Sequence, residues 1–297
     1  MSDESKMEEG QTFTLPDGRK LGYLMVGEGK PVFYFHGLLV GSRLDVLNMR
    51  EVGEHMNLQI IGVDRPGFGL STFAEKRGIC DFASDISLLA DHLGFDKFAI
   101  VGVSGGGHYA ITCAALLPER LVKVLVIMGL SLPLDVSDMR SEVQMLYNFM
   151  TNPLIGTMLL KKVRETTLAM IKNPDKFLKS DAGRKILGDL GRGQIDAESP
   201  RLDVGRRSIE EFYRQGDDGI KAIIQEVKLM KKGWDVDLSL IPSGLVHIYH
   251  GPGDINSPVS NAHRNAKAVP GAHLEIFEGD TQLLASRNLE KIFEVLK

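Results

Sequence analysis

Apolar and polar positions along this chain switch repeatedly between a period of two and a period near three and a half. Thr12 to Leu15 and Lys20 to Val26 flank Pro16-Asp17-Gly18, which spells a turn, so the pair is predicted to form an N-terminal β-hairpin. Pro31 to Phe35 is a short apolar run ending in His36-Gly37, and Asn57 to Asp64, Phe98 to Val103 and Leu121 to Met128 have the same character. Helical spacing fills the gaps: Leu44, Leu47, Val52 and Met56, then Phe82 to Leu93, then Tyr109 to Leu117. Buried strands alternating with helices predict a mostly parallel, doubly wound α/β sheet, with functional groups at the carboxyl ends of its strands.

Around Leu130 the alternation stops. From there to about Ile241 the pattern is helical, rich in charge and poor in strand signals, with loops marked by Gly191-Arg192-Gly193 and Glu198-Ser199-Pro200. Strand signals return at Leu245 to Tyr249 and His273 to Phe277, and Leu289 to Leu296 reads as a closing helix. The expected organisation is a flexible tail over 1–10, a core over 11–130, an inserted helical cap over 131–241, and the rest of the core over 242–297.

Composition narrows the partners. With 297 residues, 43% of them hydrophobic, the chain can bury a large core. Its formal net charge is −4, and its basic residues cluster only in pairs such as Lys161-Lys162, Arg206-Arg207 and Lys231-Lys232, so nucleic acid is not an expected partner. The two cysteines, Cys80 and Cys113, are too few for a disulfide scaffold or a zinc site, and a reducing cytoplasm is the expected compartment. Both thiols are expected to be buried and unreactive. Met1 to Gly10 is polar and acidic, without the apolar stretch of a secretory signal. Phe98 to Pro118 lacks Asp, Glu, Lys and Arg over 21 residues, long enough to suggest a membrane span. The glycine-rich Ser104 to His108 breaks it, so a buried strand, a turn and a buried helix are expected and no membrane.

That turn carries the chemistry. Gly102-Val103-Ser104-Gly105-Gly106 is a G-x-S-x-G elbow, in which glycines permit a tight strand-to-helix turn that holds a serine hydroxyl above the sheet edge. Gly105 to Ala110 also satisfies G-x-G-x-x-A, a dinucleotide fingerprint. That reading requires an acidic residue about twenty positions on, and Val122 to Met128 supplies none.

Taken together, the motifs resemble those of the α/β-hydrolase superfamily over roughly residues 12–297. His36-Gly37-Leu38 resembles its oxyanion loop, and Asp64 to Ser71 its D-x-P-G-x-G-x-S turn. Gly251-Pro252-Gly253-Asp254 with Ser257-Pro258 resembles the turn carrying the triad acid. The resemblance implies an α/β-hydrolase fold with an inserted helical cap, Ser104 as nucleophile, Asp254 as acid, and the backbone N–H groups of Leu38 and Gly105 as oxyanion hole, with no metal or cofactor. The family's final histidine belongs in the loop after the last strand, which here reads Glu278-Gly279-Asp280-Thr281-Gln282-Leu283-Leu284. Gln282 occupies the histidine position, and no histidine follows His273. A carboxamide cannot take a serine's proton at neutral pH.

The implied function is hydrolysis of an ester or other acyl bond of a small, largely apolar molecule, impaired by Gln282. A serine rather than an aspartate at the elbow argues against the epoxide hydrolase and haloalkane dehalogenase branches, whose covalent ester requires a carboxylate. Three alternatives stay open: a non-catalytic relative that binds a ligand or partner, an inactivated variant of an active hydrolase, and substitution of the base by His36, His108 or His250. The cap methionines Met139, Met145, Met150, Met158, Met170 and Met230 are expected to fill the space between helices. The oligomeric state is not legible.

Overall fold

The computed structural model describes residues 9–173, 200–254, 256–280 and 284–297. The expected N-terminal hairpin is present, with β1 (Gln11–Thr14) antiparallel to β2 (Lys20–Val26). The apolar runs become β3 (Lys30–Phe35), β4 (Leu58–Val63), β5 (Phe98–Val103), β6 (Leu121–Ile127), β7 (Val246–His250) and β8 (His273–Ile276). All lie in one eight-stranded sheet of order β1-β2-β4-β3-β5-β6-β7-β8, in which every pair from β4 onward is parallel. After β3 the chain steps outward to β4, then crosses back to place β5 on the other side of β3. Loops leaving the carboxyl ends of β3 and β5 therefore diverge, and the crevice between them is where such sheets hold ligands.

Strand pleating divides the core into two layers. On β3, Phe33 and Phe35 join one apolar cluster while Val32 and Tyr34 join the other. Each such buried side chain contributes roughly 1.5–3 kcal/mol relative to exposure. Helices α1 (Arg50–Met56), α2 (Cys80–His92) and α3 (Gly107–Leu116) cover the first half of the sheet. Phe98 to Pro118 accordingly splits into a strand and a helix. Among the described residues no helix is long and apolar enough to cross a membrane.

Between β6 and β7 lie α4 (Ser141–Met150), α5 (Gly156–Lys172), α6 (Pro200–Phe212) and α7 (Asp217–Lys232), with no strand among the described residues of this interval. Helices α6 and α7 anchor it to the core, α7 through Glu226, which pairs with Arg65. On α6, Glu211 accepts from Arg43 Nη1 at 2.7 Å, and Ser208 bonds both Ser42 and the half-buried Asp45. Phe212 of α6 stacks on Phe68 with centroids 4.5 Å apart. Met139, Met150 and Met230 are buried as expected, but Met145 and Met158 are exposed, because they lie on the outward faces of α4 and α5.

After β7 come α8 (Ser260–Ala268), β8 and α9 (Leu284–Phe293). The closing helix starts five residues earlier than its apolar spacing suggests. It is broken at Asn288, whose φ/ψ of −122°/17° is non-helical and whose Nδ2 donates to Asp280 Oδ2 and to the Leu284 carbonyl. A side chain that competes for backbone partners hides the helical period.

Helix α3 packs so closely on β6 and the residues after it that a Cβ at Gly107 would lie 2.9 Å from Val126 Cγ1 and from Gly129 Cα. Gly205, on α6, has nothing within 4 Å of the same position. Denaturant titration is expected to show Gly107→Ala destabilised by about 1–3 kcal/mol, and Gly205→Ala stabilised by up to about 1 kcal/mol.

Candidate active site

Val103 ends β5 in extended backbone, and Ser104 turns into the left-handed region at φ 50°, before Gly105 and Gly106 lead into α3. A residue with a Cβ pays conformational strain there, so the surrounding contacts must over-determine the turn. They do so through missing side chains. A Cβ at Gly106 would fall within 2.2 Å of the Phe35 carbonyl oxygen, and one at Gly102 within 2.5 Å of the Gly106 oxygen. The start of α3 thus rests on the end of β3, with half-buried Ser104 at the switch point.

The loop after β3 meets the same turn. A Cβ at Gly105 would lie 2.9 Å from Leu38 N, and one at Gly37 would lie 3.6 Å from Ser104 Cβ. The Leu38 backbone therefore lies against Gly105, the residue after Ser104. The following residue, Leu39, has φ 71°, a second strained position in this loop.

Asp254 is buried in the turn after β7, where its Oδ1 accepts the backbone N–H of Asn256 at 2.8 Å and of Ser257 at 3.0 Å. Burial raises its pKa, and those two amides oppose the rise. The loop after β8 crosses this turn: Gly253 N donates to Asp280 O, and a Cβ at Gly251 would meet that oxygen at 2.7 Å. Gln282 lies outside the described residues, between Asp280 and Leu284, the two ends of the segment that carries it.

The three histidines at this edge differ in what they have free. His36 is buried. Its Nδ1 donates to the Gly37 carbonyl at 2.8 Å and its Nε2 accepts from Arg65 N at 3.3 Å, so the ring is neutral with both nitrogens committed. Burial, aided by the Arg65 charge, holds its pKa well below the ordinary value. His108 packs against Tyr109 inside the core; burial pushes its pKa down to about 3, and neither nitrogen has a partner among the described residues. His250 donates from Nδ1 to the Gly251 carbonyl at 2.9 Å, while its Nε2 has no partner among the described residues. Burial also lowers its pKa, against the pull of Asp254.

A buried ionic cluster under the β3 loop was not foreseen from the sequence. Glu226 of α7 binds Arg65 through both carboxylate oxygens, at 2.9 and 3.1 Å, and Arg77 at 2.7 Å, and it accepts from Tyr109 Oη at 3.1 Å. All four side chains are buried. Burial alone would raise the Glu226 pKa, but the Arg65 and Arg77 charges outweigh it and bring it to about 2. A signal was present: Ile220, Ile223, Val227 and Met230 form the apolar stripe of α7, and Glu226 falls on that stripe. Elsewhere, Cys113 is buried as expected. Cys80 is only half-buried, because its Sγ reaches Asp235 Oδ1 at 3.2 Å near the surface; burial and that carboxylate raise its pKa to about 11.

A doubly wound sheet with a left-handed serine at its switch point and a glycine-bearing loop against it defines the class of α/β proteins with a strand-to-helix elbow. A family model described as alpha/beta hydrolase fold matches residues 30–160, and the chain has the α/β-hydrolase fold. Over 112 residues it is 34% identical to 2-hydroxy-6-oxo-6-phenylhexa-2,4-dienoate hydrolase of Comamonas testosteroni, covering 36% of this chain and 38% of that protein. The chain spans less than half the length of the curated relatives it matches. Among solved structures, a hydrolase from Pseudomonas aeruginosa PA01 superposes with TM-score 0.64 at 14% identity, covering 97% of this chain and 98% of that one. An esterase from Exiguobacterium antarcticum gives TM-score 0.64 at 18% identity, covering 97% of both chains.

Because the folded Glu226 carboxyl titrates near 2, it contributes stability that is complete above the ordinary glutamate range and is lost as pH falls through that range toward 2. Urea titrations across this window are expected to show stability falling less steeply in Glu226→Gln, on a lower baseline, than in the unaltered chain.

Proposed function

We propose that this chain is a serine acyl hydrolase by architecture, acting on an ester or other acyl bond of a small, largely apolar molecule, with turnover held low by Gln282. Ser104 Oγ attacks the carbonyl, the Leu38 and Gly105 N–H groups receive the developing oxyanion, and Asp254 is the carboxylate that orients a base. The observation that carries this reading is the contact of the Leu38 and Gly105 backbones beside a serine at φ 50°. Two preorganised N–H donors at that place are what an acyl transition state uses. The helices between β6 and β7 serve as a cap over the site, and no cofactor is required.

Gln282 stands where the base belongs. Removing the base of a serine triad costs on the order of 10⁴ to 10⁶ in turnover, with the residue supplied by binding and the oxyanion hole. A second reading, a ligand-binding protein that retains the pocket without turnover, is favoured by the histidines. His36 has both nitrogens committed, His108 is held neutral in the core, and burial lowers the pKa of His250, whose Nε2 has no partner among the described residues, so none of the three is a ready base.

Labelling with a serine-directed fluorophosphonate and turnover of short-chain aryl esters test both. The unaltered chain is expected to label slowly and turn over near background, and Gln282→His to gain at least ~10²-fold. Rapid labelling of Ser104 in the unaltered chain overturns the lost-base reading and points to His250. Binding of aryl esters without any gain from Gln282→His favours the binding protein.

A further inference from the structure

We infer that Glu226 of α7 is a positioning residue for the oxyanion hole, acting through Arg65 to fix the direction of the Leu38 N–H. The inference rests on the proposed role of that N–H and extends it to a residue 188 positions further along the chain.

The argument starts from peptide geometry. The Gly37 carbonyl and the Leu38 N–H belong to one planar trans unit, so they point in opposite directions, and whatever holds the carbonyl aims the N–H. Two donors hold that carbonyl: His36 Nδ1 at 2.8 Å and Arg65 Nη2 at 3.3 Å. Arg65 also donates from Nη1 to the His36 carbonyl and from its backbone N to His36 Nε2. One guanidinium therefore braces two consecutive peptide units of the loop, and its own backbone fixes the tautomer of the other donor.

A buried guanidinium has no fixed direction unless its remaining donors are taken up. Glu226 takes them, accepting from Arg65 Nε and Nη2 in a planar two-point pairing, with every atom of both side chains out of solvent. That pairing sets the plane of the guanidinium and so the edge it presents to the His36 and Gly37 carbonyls. Arg77 binds the same carboxylate but donates otherwise to Tyr109 Oη, not to the loop. The cluster thus contains one arginine that touches the β3 loop and one that shares its counter-charge without touching the loop, and this difference makes the inference testable.

Turnover of nitrophenyl butyrate is measured in full-length chains carrying Gln282→His. In parallel, the Leu38 amide is followed by NMR in the otherwise unaltered chain with ¹⁵N-leucine, its peak assigned by its loss in Leu38→Ile. Glu226→Gln is expected to lower kcat about 10-fold or more with KM within about 3-fold, a fraction of the effect of losing an oxyanion donor outright. It is also expected to shift the Leu38 amide while leaving the Leu21 amide of β2 in place. Arg77→Lys is expected to lower Tm while keeping kcat and the Leu38 amide unchanged. If Glu226→Gln does not fold, Arg65→Lys retains a cation for Glu226 but cannot also span to the Gly37 carbonyl, and the same Leu38 shift is expected of it. A Leu38 amide unmoved by these substitutions, or equal changes from Glu226→Gln and Arg77→Lys that follow Tm alone, overturns the inference. Absence of turnover in the Gln282→His chain refutes the hydrolase reading instead, and the Leu38 amide still decides the role of Glu226.

Discussion

The close approach of α3 to the end of β3 is the constraint on which this structure turns. Gly106 rests on the Phe35 carbonyl and Gly102 on the Gly106 carbonyl, at separations that no side chain could occupy. Only with that approach does Ser104 reach the switch point, and only there can the β3 loop lie against the start of the helix. Helix termini expose N–H groups that lack partners within the helix, so bringing one into the crevice supplies a donor without a special side chain. The strain at Ser104 and Leu39 is sustained by the same packing.

Against this apolar framework, the buried charges look uneconomical. Arg65, Arg77 and Glu226 have all been removed from water, and a hydrophobic replacement of equal volume is often no less stable. What the ionic cluster supplies that an apolar plug could not is direction. Hydrogen bonds from a guanidinium have fixed angles, and here they fall on the carbonyls of the loop beside Ser104. The neighbouring Arg43–Asp64 pair behaves alike: Asp64 also accepts from the backbone N of Arg43 and of Leu70, tying the turn after β4 to the loop after β3.

The order of elements was legible because each strand is a short apolar run bounded by turn residues, and because helical periods separate the runs. The parallel core, the hairpin and the split of the uncharged Phe98 to Pro118 stretch all follow from those patterns. The start of α9 was not legible, since Asn288 breaks its period through a tertiary contact with Asp280. In the candidate site, Leu38, Gly105, Ser104 and Asp254 lie within motifs of local spacing, and the sequence could point to their positions. The Arg65–Glu226 pairing could not be read, because two charges 161 positions apart carry no mutual spacing, and charge on a helix ordinarily signals a solvated face.

That separation also makes the site depend on a remote part of the chain. Arg65 and Arg77 precede β5, whereas the carboxylate that holds them stands on α7, between β6 and β7. A stretch of chain ending at β6 would therefore carry Ser104, the β3 loop and both cations, but not the group that sets the direction of the Arg65 guanidinium.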